Sequence, residues 1–118
     1  MSGEARLAAA RERVESEIEI DDPIRLMDLV LEVALEADDR EWAQSICVQL
    51  ARHRSAQVRG NAVLAFGHLA RRFGRLDPQR VRRLVDIALH DPSDYVRDQA
   101  DSAADDLRTF LDWQFDRS

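Results

Sequence analysis

HRSAQVRGNA (53–62) and DPSDYVRDQA (91–100) are the two stretches whose likeness decides the fold. Val58-Arg59 and Ala62 in the first align with Val96-Arg97 and Ala100 in the second, 38 residues further on. A weaker third copy, DDPIRLMDL (21–29), puts Ile24-Arg25 34 residues ahead of Val58-Arg59. A period in the thirties or forties is the mark of a helical repeat array. One such unit cannot bury its own apolar face, but stacked units can. The repeat also directs function towards a binding surface and away from a catalytic pocket.

The rest of the chain agrees with helix. Apolar residues make up 45% of the 118 residues and charged ones 34%, the balance of a globular chain. Only four Gly, three Pro and 6% aromatics occur, which leaves few turns and favours long helices over sheet. Residues 4–18 form a polar helix with Leu7, Val14 and Ile18 on a narrow stripe. Asp22-Pro23 reads as an N-cap followed by Pro at the first helical position. Leu26, Leu29, Val30, Val33, Ala34 and Ala37 then mark a broad buried face. A third helix restarts at Asp38-Asp39 with Trp42, Ile46, Val48, Leu50 and Ala51. Ser55 caps the fourth, which closes at Gly74. Asp77-Pro78 opens the fifth, and Asp91-Pro92-Ser93 turns into the last, through Leu107 and Leu111 towards Phe115. The expected fold is all-α, a short solenoid of three antiparallel helix pairs in one domain, with units at about 1–38, 39–76 and 77–118.

DPSDYVR (91–97) with Ala100 resembles the turn and second helix of the HEAT-repeat family. The second unit departs from that pattern, with His53-Arg54-Ser55 in place of Asp-Pro-Ser, and the first unit is degenerate. VRGNAVLAFGHLARRFG (58–74) followed by DPSDYVRDQADSAADDLRTFLDW (91–113) also looks like a group of small bacterial HEAT-like proteins. Some of that group resemble immunity proteins encoded beside secreted toxins. The likeness covers about the C-terminal two-thirds and implies a non-enzymatic protein-binding module.

Charge sorts by segment. Net charge is −6, yet residues 42–83 carry nine Arg against one acid, Asp77, while 15–41 and 84–118 are acidic. All seventeen basic residues are Arg, a side chain that pairs bidentately with carboxylates. The acidic total, the lack of Lys and the lack of aromatics among the Arg disfavour nucleic acid, which stays as the alternative for the Arg-rich middle. No run of about 18 apolar residues occurs, so no membrane partner is expected. The charged N-terminal stretch lacks a signal-peptide core. Cys47 is the single cysteine and cannot form an internal disulfide, which points to the cytoplasm.

The fourth helix holds the least ordinary residues. Gly60 and Gly67, seven apart, imply a neighbour pressing on that face. Asn61 and His68 share another face, with Arg72 one turn beyond His68. The 38-residue offset carries Gly67 and His68 onto Asp105 and Asp106, so His68 is expected near those acids. Asn61, His68, Arg72, Asp101, Asp105, Asp106 and Trp113 are therefore the candidate partner-binding residues. The competing reading of the polar set is an inter-repeat hydrogen-bond network that holds register. Arg59 and Arg97 are expected to be structural, each capping or bridging an acid or carbonyl of an adjacent turn. No nucleophile with a partnered base, no metal-ligand spacing among His53, His68 and His90 and no phosphate loop is present, so neither catalysis nor a cofactor is expected. The specific expectation is an immunity protein that binds a toxin; a scaffold subunit or adaptor is the plain alternative.

Overall fold

The computed structural model describes residues 2–117, which contain six α-helices and no strand. They are α1 (Gly3–Ile20), α2 (Pro23–Glu36), α3 (Arg40–Leu50), α4 (Ala56–Phe73), α5 (Pro78–Ala88) and α6 (Asp94–Leu111). Each begins on a Ser or Asp whose side chain accepts a backbone N–H of the first turn: Ser2, Asp22, Asp39, Ser55, Asp77 and Ser93. Gly74 ends α4 in the left-handed region, and Asp21 and Asp112 do the same for α1 and α6. The last of these stops α6 at Leu111, so Phe115 lies beyond the helix rather than in it.

α4 is the centre of the molecule. α2 packs on one side of it and α6 on the other, while α3 and α5 cover it and touch each other. Phe66, Leu69, Val58, Val63 and Ala62 of α4 are fully buried against Leu26 and Val30 of α2, Leu50 of α3, Val81 and Val85 of α5, and Val96 and Leu107 of α6. α1 lies chiefly against α2, and its Arg11 also pairs with Asp39 (2.7 Å), the residue that caps α3. Only Val14 of α1 is buried, and Leu7 of the expected stripe is half exposed. Between α1, α2 and Trp42 sits a cavity of about 200 Å³. The indole Nε1 of Trp42 is buried there without a hydrogen-bond partner among the described residues. Trp42 packs against the core without being enclosed by it, with the Arg11 guanidinium 5.3 Å from its ring centre. No described helix is long and apolar enough to cross a membrane.

The weak third copy of the repeat does not carry over. Val58 and Val96 stand three residues after their N-caps and are buried, whereas Ile24 stands two after Asp22 and is 77% exposed. The one-residue difference turns Ile24 to solvent, and Arg25 reaches back to Glu17 (3.1 Å) instead of bracing a turn.

Candidate functional site

The polar residues of α4 divide into two groups. Asn61 is 5% exposed and ties three helices together. Its Nδ2 donates to the Met27 carbonyl of α2 (3.0 Å) and its Oδ1 accepts from the Tyr95 hydroxyl of α6. Arg72 donates to the Ala34 and Ala37 carbonyls (2.7 and 2.8 Å), so it closes the C-terminal end of α2. Both residues therefore act in the network that holds α2 to α4. His68 is only partly buried, and its Nδ1 accepts from Arg71 (3.1 Å). Its proton affinity is lowered by burial and then by the Arg71 charge, with Asp106 pulling the other way.

The glycines mark where α6 presses. A Cβ on Gly60 would stand 2.7 Å from the Tyr95 ring, and one on Gly67 would stand 2.6 Å from an Asp106 carboxylate oxygen and 3.1 Å from its Cβ. Gly67 thus leaves room for Asp106, whose charge acts on His68, while Asp105 faces the tail. The Asp105 carboxylate lies 2.9 Å from Arg117, and Asp101 lies 3.8 Å from the same guanidinium. Trp113 is partly buried beside Phe115 (6.5 Å between ring centres). The Arg82 guanidinium of α5 covers both rings at 5.9 and 5.0 Å and donates to the Gln114 carbonyl. The tail after α6 is thereby held along α5 and α6, and Trp113 sits apart from His68 and Asn61.

Two residues of the acidic surface were missed by the offset argument. Asp94, Asp98, Asp101 and Asp105 recur at i, i+4, i+7 and i+11, and all four are exposed. They form one carboxylate stripe along the solvent side of α6, opposite the buried Val96, Ala100, Ala103, Ala104 and Leu107. The helical spacing alone would have found them.

The repeat arginines brace the turns. Arg59 makes a two-pronged contact with Asp91, Nε to Oδ2 and Nη2 to Oδ1, both 3.0 Å. Its Nη1 also donates to the His53 and Arg54 carbonyls (3.1 and 3.0 Å). Arg97 donates to the Asp91 carbonyl (2.5 Å) and pairs with Asp94. One junction earlier, Asp21 receives His53 Nε2 (2.5 Å) and the Arg54 guanidinium. The hydrogen bond from Arg59 and that from His53 are the foremost causes holding the Asp91 and Asp21 carboxyls, respectively, below the usual carboxylate range. These contacts run as a continuous ladder from Asp21 through Arg59 and Asp91 to Arg97.

Cys47 is wholly buried, and burial pushes its thiol up to about 12, so it is not a thiolate near neutral pH. Among the described residues no group of three or more His, Cys, Asp and Glu could hold a metal ion. No family model, curated protein or solved structure matches this chain.

Proposed function

We propose that the chain is a non-enzymatic protein-binding module, built as a short HEAT-like stack of three helix pairs, that engages a basic protein partner through α6. The observation that carries this reading is the stripe of Asp94, Asp98, Asp101 and Asp105, extended by Asp106 beside His68. Four aligned carboxylates on a rigid helix attract and orient a basic surface with little ordering cost. Arg117 already rests against Asp101 and Asp105, which supports guanidinium recognition there and means that a partner's arginine would displace the tail. Trp113, half-covered at the end of the stripe, offers an aromatic anchor. With the resemblance of residues 58–74 and 91–113 to small bacterial immunity-type proteins, the specific reading is a cytoplasmic antagonist of a toxin whose active surface is basic.

The test is co-expression with the protein encoded by the adjacent gene. Binding by the wild-type chain and relief of growth arrest are expected, and Asp101→Lys with Asp105→Lys should abolish both while leaving the melting temperature unchanged. An adjacent product that is neither bound nor neutralised would sink the immunity reading.

A further inference from the structure

The Arg-rich middle of the chain forms a groove that the α6 stripe does not use. α3 and α5 bound a depression of about 470 Å³. Val48, Leu84 and Ile87 contribute apolar surface to it, and Ile87 is 54% exposed. Arg52 stands on the α3 side, and Arg80 and Arg83 stand on the α5 side. The side chains of Arg52 and Arg83 have no hydrogen-bond or ion-pair partner among the described residues, and Arg80 touches only the Ser45 hydroxyl (3.3 Å). The Arg59–Asp91 pair also lines the groove, so its inner charge is neutralised. Three exposed guanidinium groups beside apolar side chains fit an amphipathic helix with carboxylates beside an apolar stripe. A nucleic-acid backbone would leave those apolar side chains without a counterpart.

This chain carries such a helix. Ile24, Leu31 and Leu35 follow at i, i+7 and i+11 on the side of α2 away from its core face. Ile24 and Leu35 are exposed, and Leu31 is partly so. Asp28 and Glu32 flank that stripe, both exposed. We propose that α2 of one copy docks in the α3–α5 groove of the next, so that the chain self-associates head to tail. The two halves of this contact lie on different elements, so each pairing leaves one groove and one α2 free. A heterologous contact of this kind yields chains or closed rings in place of a two-fold dimer. The inference stands apart from the α6 reading, because no residue of the acidic stripe takes part.

Sedimentation velocity over a concentration series tests it on the intact chain. Association that weakens as salt rises to about 0.5 M is expected. Arg80→Glu with Arg83→Glu should weaken it by roughly 100-fold, as should Asp28→Arg with Glu32→Arg. Both pairs are exposed, so melting temperatures should match the wild type. Mixing the two variants should restore association, because the first variant's α2 still fits the second's groove and the two reversed faces complement each other. A wild-type chain that stays monomeric, or association indifferent to both charge reversals, overturns the proposal. So does a monomer whose Arg80→Glu/Arg83→Glu variant loses binding to single-stranded RNA in a gel shift, since the groove would then serve nucleic acid.

Discussion

His53 and Asp91, 38 residues apart, do the same work with different side chains. Each accepts the backbone N–H two residues on, Ser55 to His53 Nδ1 and Ser93 to Asp91 Oδ1, both at 2.9 Å. With Nδ1 accepting, His53 carries its proton on Nε2 and donates it to Asp21. Asp91 can only accept, so it needs a cationic donor in turn, and Arg59 supplies it. The missing Asp-Pro of the second unit is thus a change of partner, with the turn geometry kept. Arg59→Ala should cost about 2 kcal/mol in urea unfolding, because it strands the mostly buried Asp91 carboxylate and two carbonyls. Asp91 is held below its ordinary 3.8, so the unfolded state binds more protons as pH drops. Its contribution is complete above about pH 4 and is lost as pH falls through the lower folded value. Melting temperature measured against pH should therefore fall less steeply below pH 4 in Arg59→Ala than in the wild type. His68 gives a second sign to check. An NMR titration should place it below 6.5, and Asp106→Asn should lower it further, because the Asp106 carboxylate is what opposes burial and Arg71.

At the scale of the element, α4 shows why its glycines are there. Alanine at either position would raise helix propensity by about 1 kcal/mol in an isolated helix. Here the Tyr95 ring stands where the Gly60 methyl would go, and Asp106 stands over Gly67. Gly60→Ala should therefore lower stability by about 1–3 kcal/mol despite its propensity. Adding Tyr95→Ala should remove that penalty relative to Tyr95→Ala alone; equal losses in both backgrounds would refute the close-approach explanation. α1 is the opposite case: among the described residues it has one buried side chain, packs chiefly on α2, and reaches α3 through Arg11 at Asp39 and Trp42. An element with so few buried contacts opens at low cost. Amide exchange should be fastest along α1 and slowest through residues 61–70 of α4, where nearly every side chain is buried.

For the molecule as a whole, Asp21, Asp39 and Asp91 all have carboxyls below their ordinary 3.8, and all three sit where one helix hands over to the next. The depressed-carboxylate case applies to each, so stability should be level above pH 4 and decline below it, with the junctions loosening together. The six helices and the caps at Asp22, Ser55 and Asp77 could be read from the chain because caps, prolines and apolar spacing are local signals, each contained within a few residues. The pressure on Gly60 and Gly67 was also legible, since a helix seldom retains such residues unless something presses on them. Local signals do not say which polar residue faces inward. Asn61 and Arg72 share the seven- and four-residue spacings of His68, but a rotation of some tens of degrees about the helix sends them to α2 while His68 meets the surface. Ile24 shows the same sensitivity, a single residue of register separating a core position from an exposed one. The sequence by itself determined the six helices and the turn that repeats at 53 and 91. Only the tertiary structure decided which carboxylates stay in water, because burial depends on the side each neighbouring helix occupies, and that follows from packing between residues about 35 apart in the chain.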